Sequence, residues 1–140
     1  MAEPPTDLVC GIVGGDVQAA VVHRDEHTVA FLDHRPLFKG HTLVCPVEHV
    51  DTLTDLPPHL VAPLFTAVQR VADAMVDTLG ADGSFTAINT VVSQSVPHLH
   101  VHVVPRVKGD GLRGFFWPRV KYEEGEAERY AQLLRDSLNR

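Results

Sequence analysis

No stretch of the sequence approaches the roughly 20 consecutive apolar residues that a membrane-spanning helix needs, so no membrane association is expected. Cysteine is scarce: Cys10 and Cys45 are the only two thiols in 140 residues. With no secretory signal at the N-terminus, we expect a cytoplasmic protein with both thiols reduced. Basic residues are also fewer than acidic ones, 12 Lys and Arg against 18 Asp and Glu. A net charge of −6 provides no field that would hold a long nucleic acid.

Hydrophobic periodicity divides the chain into strands and helices. Apolar runs bounded by turn residues predict five strands, at 17–22, 28–32, 41–46, 84–89 and 98–104, with a glycine-rich turn at 11–16. Apolar residues three or four positions apart predict a long amphipathic helix from Pro57 to Leu79, ended by Gly80, and a charged C-terminal helix at about 123–138. This order predicts a single α+β domain, 1–140, built on an antiparallel sheet.

Histidine is abundant: the chain has nine, and three fall within His98-Leu99-His100-Val101-His102. Side chains alternate between the two faces of a strand, so the three histidines are expected on one face and their apolar neighbours on the other. A single histidine on a strand is most often an ordinary half-buried side chain. Three in alternation, on a strand that packs against a core, indicate a reactive site.

Two chemistries suit this strand. Histidines at i and i+2 can ligate zinc at about 2.0–2.1 Å, but Cα atoms at i and i+4 lie roughly 13 Å apart, so all three would converge on one ion only with severe curvature. Alternatively, a neutral imidazole attacks phosphorus, while flanking histidines bind the phosphoryl oxygens and protonate the leaving group. The polar segment 93–97 before the strand supplies hydroxyl, amide and backbone N–H donors for a phosphate. The second interpretation uses all three histidines.

The run from His98 to Val104 matches the His-φ-His-φ-His-φ-φ signature of the histidine triad (HIT) superfamily, where φ is apolar. Gln94-Ser95-Val96 resembles the Gln-Ser/Thr-Val lead-in of that family, and the segments 31–36 and 40–46 resemble its earlier block. The resemblance covers about 8–106 and implies a catalytic core there, with a tail and helix at about 107–140. It implies a HIT-like antiparallel five-stranded sheet with one long helix and a C-terminal helix, in a homodimer.

The resemblance also implies a role for each matching residue. His100 takes the place of the nucleophile, which becomes transiently nucleotidylated, His102 that of the histidine assisting the leaving group, and His98 would orient the site. Gln94 joins the catalytic group. Among the expected substrate contacts, Ser95 and Asn89 would bind the phosphate, and the Asp33 carboxylate would bind the ribose. His41 would be a fourth histidine of the site. An apolar slot for the base would be formed by Ile12, Phe31 and Leu32, with Leu8 and Val9. The apolar residues fit an ordinary core equally well, and Asp33 also fits a turn.

A structural zinc is common in the family, held by an N-terminal Cys-x-x-Cys pair and two histidines. The corresponding positions here are Asp7 and Cys10, with His49 and His98, a set that zinc accepts although it holds fewer thiolates. Whether these four residues bind zinc stays open from the sequence. The predicted reaction itself requires neither a cofactor nor a metal.

The predicted function is therefore hydrolysis of a nucleoside phosphoramidate or a dinucleoside polyphosphate, with a purine nucleotide as ligand and AMP as the expected product. One alternative is a nucleotide-binding module whose hydrolysis is incidental. Another is a zinc hydrolase with His98 and His100 as ligands. The tail at 115–119, which holds the only tryptophan, is either a second nucleotide contact or a hydrophobic clasp.

Overall fold

The computed structural model describes residues 7–113 and 118–140, so the tail aromatics Phe115, Phe116 and Trp117 lie outside the described residues. The chain divides into two compact units, Met1–Asp110 and Gly111–Arg140. The elements are, in order, α1 (Leu8–Gly14), β1 (Val21–Arg24), β2 (Thr28–Leu32), β3 (Thr42–Pro46), a 3₁₀ turn (Leu53–Asp55), α2 (Pro58–Leu79), β4 (Gly83–Ala87), β5 (Val101–Arg106) and α3 (Glu126–Leu138). Among the described residues, no helix is long and apolar enough to cross a membrane.

The strands pair in one antiparallel sheet in the order β1-β2-β3-β5-β4. This confirms the predicted α+β class with a five-stranded antiparallel sheet. Strand β5 has a neighbour on both sides, and Leu43 of β3 lies directly opposite His102. The histidine segment therefore leads into a central strand, where two ladders of backbone hydrogen bonds restrict its movement.

Helices α1 and α2 cover opposite faces of the sheet. Successive strand residues point to opposite faces, and each helix packs against a different alternating set of them. On one face, α2 packs its apolar side against Val44, Val101 and Val103, all 0% exposed. On the other face, Val9 and Ile12 of α1 pack with the alternate strand residues. These strand residues are Val29, Phe31 and Cys45. The α2 face is the larger apolar core, and the α1 face is where polar side chains also gather.

The predicted turn at 11–16 is wrong for 11–14, which belong to helix α1 (Leu8–Gly14), and the chain turns only at Gly15 and Asp16. Glycine costs about 1 kcal/mol relative to alanine in a helix, so Gly11 and Gly14 are more typical of a turn than of a helix. The helix forms because the Asp7 carboxylate caps it, accepting the Cys10 N–H at 2.8 Å, and because two of its side chains are buried. Gly15 ends it with φ of 84°, a conformation that glycine adopts without strain.

Other predicted boundaries are shifted. The first strand begins at Val21 rather than at residue 17, β4 ends at Ala87 rather than at residue 89, and α3 begins at Glu126 after Gly125. The most consequential shift is in the histidine strand, which pairs only from Val101. Continued in the same register, Cys45 would lie opposite His100 and Pro46 opposite Leu99, and Pro46 has no N–H to donate to that residue. The N–H of Leu99 bonds instead to the carbonyl of Val50.

Candidate active site

The three histidines lie on the α1 side of the sheet but occupy two different sites. The rings of His100 and His102 line a cleft on the α1 face, with centroids 5.1 Å apart. The ring of His98 is 0% exposed and lies against Asp7 and Cys10 instead. The expectation that the three histidines face away from Leu99, Val101 and Val103 agrees with the structure, because these apolar residues belong to the α2 core. The three imidazoles lie on the α1 side, but His98 contacts Asp7 and Cys10 instead of lining the cleft.

The cleft, called here the histidine cleft, has a volume of about 110 Å³. It is lined by Leu8, Val9, Phe31, Leu32, Asp33, His34, Leu43, Ser95, Val96, His100 and His102. Among the other predicted contacts, Ile12 is buried in the same apolar cluster as Val9 and Phe31, and His41 lies behind His102. Neither Asn89 nor Gln94 is among the lining residues.

His100 is positioned by the main chain. Its Nδ1 lies 2.7 Å from the carbonyl oxygen of His98, and because a carbonyl only accepts, the Nδ1–H is the donor. The neutral ring then carries its lone pair on Nε2. The ring lines the cleft while only 5% exposed. The arrangement gives His100 the tautomer that a nucleophilic imidazole requires.

His102 takes its tautomer from a chain of hydrogen bonds. The N–H of Leu37 donates to Nδ1 of His41 at 3.1 Å, so His41 carries its proton on Nε2, 3.0 Å from Nδ1 of His102. Burial, followed by the charges of His100 and His41, lowers the pKa of His102 to about 4. Burial also lowers the pKa of His41, against the attraction of Asp33. At neutral pH both rings are uncharged, and His102 retains an N–H at Nε2.

Asp33 lies at the end of β2, where it serves both the turn and the cleft. Its Oδ1 accepts the N–H of Arg35 at 2.9 Å, and its Oδ2 lies 3.8 Å from Nε2 of His41. A carboxylate keeps further lone pairs after one such bond. The side chain can therefore accept hydrogen bonds from the hydroxyls of a ligand in the cleft.

Gln94 braces the loop before the histidine segment. Its Nε2 donates to the carbonyls of Asp51 at 2.6 Å and Val96 at 3.0 Å, and its Oε1 accepts the N–H of Val91. Val91 and Ser93 have φ of 65° and 62°, a left-handed conformation that costs roughly 1–2 kcal/mol for residues other than glycine. The amide of Gln94 therefore holds a strained loop, while Ser95 lies in the cleft lining.

A second polar cluster, called here the Asp7 cluster, consists of Asp7, Cys10, His49 and His98. His98 donates through Nε2 to the carbonyl of Pro46 at 2.8 Å, and Nε2 of His49 lies 2.6 Å from the Asp51 carboxylate. These partners accept the Nε2–H of each ring, so the neutral form that a metal requires has its lone pair on Nδ1. The Nδ1 lone pairs of both rings then face Oδ2 of Asp7, at 2.8 Å from His49 and 3.1 Å from His98.

The distances in the Asp7 cluster suit a zinc ion. Three lone-pair atoms facing one another repel unless a proton or a cation lies between them. Sγ of Cys10 lies 3.5–3.7 Å from the other three donors, close to the roughly 3.6 Å edge expected when Zn–S is about 2.3 Å and Zn–N about 2.0–2.1 Å in a tetrahedron. The contacts of His49 and His98 to Asp51 and Pro46 are the outer partners that metal-ligating histidines usually have. The four residues fit the metal that the family resemblance implies.

A larger cavity of about 590 Å³ lies on the other side of the sheet, between the second half of α2 and β1–β3. Its lining is mainly apolar, with His23, Lys39 and Arg70 among the polar residues. No histidine of the 98–102 segment takes part in it. Ligand sites often occupy the largest pocket, but here the paired imidazoles place the reactive chemistry in the smaller histidine cleft.

Several contributors to the site escaped the sequence prediction. His34, Leu43 and Val96 also line the cleft. Leu43 could have been found from the strand pairing that puts it opposite His102, and His34 from its position beside Asp33. The N–H of Leu37 and the carbonyl of Pro46 act through the backbone, so their residue types carry no signal.

The fold and the site define an α+β protein with two cleft histidines at the start of a central antiparallel strand, His100 directly before β5 and His102 within it. The profile of the HIT domain matches residues 15–109, and the chain belongs to the HIT family. The protein hit of Bacillus subtilis is 40% identical over 113 residues, which are 79% of this chain and 77% of that protein. A crystal structure of a HIT family member from B. subtilis has a TM-score of 0.85 and 34% identity, covering 94% of this chain and 96% of that one.

Other relatives carry more specific names. A zinc-bound histidine triad family protein from Mycobacterium smegmatis has a TM-score of 0.71 and 41% identity, covering 92% of this chain and 94% of that one. The asymmetrical bis(5'-nucleosyl)-tetraphosphatase of Schizosaccharomyces pombe is 38% identical over 67% of this chain and 53% of its own length. The adenylylsulfatase HINT3 of Arabidopsis thaliana is 31% identical over 75% of this chain and 54% of its own length. The HIT family thus includes hydrolases of small nucleotides.

Proposed function

We propose that this protein is a nucleotide hydrolase that acts through a covalent nucleotidyl-His100 intermediate. Its substrates are nucleoside phosphoramidates or dinucleoside polyphosphates, and AMP is the expected nucleotide product. The observation that carries the proposal is the hydrogen bond from Nδ1 of His100 to the carbonyl of His98 at 2.7 Å, which leaves the Nε2 lone pair of a cleft histidine available to attack. The names of the tetraphosphatase and adenylylsulfatase relatives support the substrate class.

In the first step, Nε2 of His100 attacks the phosphorus of the nucleotide. A phosphorus–nitrogen bond forms to the imidazole, and the bond to the leaving group breaks, releasing an amine or a nucleotide. The Nδ1–H of His100 stays on the His98 carbonyl, which stabilises the positive charge that develops on the ring. His98 is therefore a positioning residue that acts through its backbone.

His102, the second histidine of the cleft, offers its Nε2–H to the reacting phosphate. Because its pKa is held near 4 in the free protein, it enters as a neutral hydrogen-bond donor rather than as a charged acid. A bound phosphate raises that pKa, since an anion within about 4–6 Å favours the imidazolium. The imidazolium takes its second proton from solvent at Nδ1, where it displaces the hydrogen bond from His41, and the ring then passes its Nε2 proton to the leaving group.

In the second step, water attacks the phosphorus of the nucleotidyl-His100, and the phosphorus–nitrogen bond breaks. The nucleoside monophosphate leaves, and neutral His100 is restored. His102, which gave its proton to the leaving group, accepts one from the attacking water. Asp33 binds the ribose hydroxyls in both steps, Ser95 binds a phosphate oxygen, and Gln94 acts as a positioning residue for the loop.

The test compares AMP release from an adenosine phosphoramidate and from diadenosine polyphosphates, with and without a chelator, at saturating substrate. The full chain and a His100→Ala variant are assayed, with His59→Ala as the control, since His59 is an exposed residue of α2. We expect release that persists in chelator, is unchanged in His59→Ala and is lost in His100→Ala. Mass spectrometry of rapidly quenched protein should show one nucleotidyl adduct on the peptide that contains His100.

Two results would reject the proposal. Unimpaired release by His100→Ala would exclude this nucleophile, and binding of AMP without any release would leave a nucleotide-binding module. The zinc hydrolase with His98 and His100 as ligands lacks geometric support, because in the described residues the donor atoms of these two rings do not belong to a common cluster. His98 directs Nδ1 into the Asp7 cluster, away from the cleft.

We also propose that the protein forms a homodimer, as the family resemblance implies. The sheet ends in β1 and β4 within the described residues, and an open strand edge can pair with a second copy. Sedimentation velocity measurements on the full chain test this. A single species with the mass of one chain at micromolar concentration would contradict it.

A further inference from the structure

The Asp7 cluster is attached to both sides of the histidine cleft. On one side, Oδ1 of Asp7 caps α1 through the N–H of Cys10 at 2.8 Å, and α1 supplies Leu8 and Val9 to the cleft lining. A helix of seven residues is not stable by itself. The position of this wall therefore depends on its buried contacts and on what holds Asp7.

On the other side, the cluster reaches the nucleophile within one residue. The ring of His98 belongs to the cluster, and the carbonyl of the same residue accepts the Nδ1–H of His100 at 2.7 Å. The third connection runs through His49, whose ring bonds to the side chain of Asp51. The carbonyl of Asp51 accepts the amide of Gln94 at 2.6 Å. One group of four side chains thus joins α1, the 49–51 segment and the catalytic segment.

We infer that the Asp7 cluster is a regulatory metal site, in which a divalent ion of the zinc class, once bound, fixes both the α1 wall and the His100 imidazole. The inference goes beyond zinc as a structural ion, because it makes occupancy of the site a determinant of nucleotide affinity. Its effect on nucleotide binding rests on the proposed function, whereas its effect on the order of the two walls does not.

The aspartate gives this site its regulatory character. A carboxylate in place of a thiolate weakens a zinc site of this kind, because thiolate is the softer ligand. The same carboxylate caps α1 with its other oxygen. A metal bound to one carboxylate oxygen of Asp7 therefore also holds the side chain that caps α1, and so restricts the movement of the cleft wall that α1 forms. A site of reduced affinity can also exchange its ion, which a permanent structural site does not do.

Two substitutions at Asp7 separate the ligand from the cap. Asp7→Asn keeps a good helix cap, since asparagine and aspartate are about equal there, but replaces the carboxylate by a weak amide ligand. Asp7→Cys removes the cap and supplies a thiolate ligand. We expect weaker Zn²⁺ and Co²⁺ binding in Asp7→Asn and tighter binding in Asp7→Cys. His27→Ala is the control, because His27 pairs with Glu26 away from the cluster.

The first measurement is hydrogen exchange of the full chain with and without Zn²⁺, which needs no nucleotide. Zinc should slow amide exchange at 8–12 and at 98–102 in the native protein and in His27→Ala, but not in Asp7→Asn. Exchange in the α2 segment 64–75 should change little. Binding of Zn²⁺ with unchanged exchange at 8–12 and 98–102 would overturn the inference and leave a structural ion only.

The second measurement is the reciprocal effect of metal and nucleotide. Zn²⁺ should tighten AMP binding about tenfold, within the range of about 5–150-fold typical of coupled sites, and AMP must then tighten Co²⁺ binding by the same factor. The visible spectrum of bound Co²⁺ reports its affinity without any enzymatic turnover. Equal Co²⁺ affinity with and without bound AMP would overturn the coupling. If AMP binds neither form, the proposed function fails, and the exchange measurement still decides whether the ion orders the two walls.

Discussion

The low pKa of His102 predicts a specific dependence of stability on pH. Burial of the ring, aided by His100 and His41, lowers its pKa from 6.5 to about 4 in the folded protein. As pH falls from about 6.5 to about 4, the unfolded chain binds a proton at this histidine and the folded chain does not, so stability must fall across that window. Above it the residue has no such effect. A His102→Gln variant should lack this part of the pH dependence.

The size of the effect follows from the same values. The gap of about 2.5 pH units, at about 1.36 kcal/mol each, sets an upper bound of about 3.4 kcal/mol. The ring is partly exposed in the cleft, so solvent screening reduces this, and we expect the native protein to lose about 1–2 kcal/mol more than His102→Gln between neutral pH and about pH 4.5.

Urea unfolding at a series of pH values measures this difference, with the slope of the transition checked for constancy. His59→Gln serves as the matched control, because this exposed histidine should leave the pH dependence close to that of the native protein. Parallel curves for the native protein and His102→Gln would refute the argument that burial keeps His102 uncharged. They would also remove the reason for treating it as a neutral donor at pH 7.

Three further substitutions test separate parts of the structure. Asp33→Ala should weaken AMP binding, measured by calorimetry, about tenfold through lost hydrogen bonds to the ribose. A 2′,3′-dideoxy nucleotide lacks these hydroxyls and should bind the native protein and the variant equally. An equal loss of affinity for both nucleotides would contradict ribose recognition. Leu64→Ala, at a side chain 0% exposed under the sheet, should lower the free energy of unfolding by about 2.7–5 kcal/mol, and a denaturant midpoint that hardly moves would show that α2 is not packed as described. Val91→Gly should raise the free energy of unfolding by about 1 kcal/mol, since it relieves a φ of 65° at a residue 73% exposed; a loss of stability would indicate that this side chain makes a contact worth more than the strain.

Much of the fold could be predicted because it rests on local pattern. The helix α2 follows from apolar residues three and four positions apart, and its observed span, Pro58–Leu79, differs from the prediction by one residue at its start. The strands β2 and β3 agree with the predicted segments within one residue. Helix α1 was missed because two glycines lower its intrinsic propensity, and its cap and its buried contacts with the sheet are not visible in a pattern.

The class of fold, the HIT resemblance and the types of side chain available for chemistry all follow from the residue pattern. Which of these side chains meet depends on how the strands pair and how the helices pack on them. Strand β5 pairs with β3 only from Val101, and of the three histidines on the α1 side, His98 contacts Asp7 while His100 and His102 line the cleft. The tautomers of these rings depend on the carbonyl of His98 and on the N–H of Leu37. Every residue except proline has the same backbone groups, so no residue type could announce which carbonyl or N–H would hold a histidine ring in place.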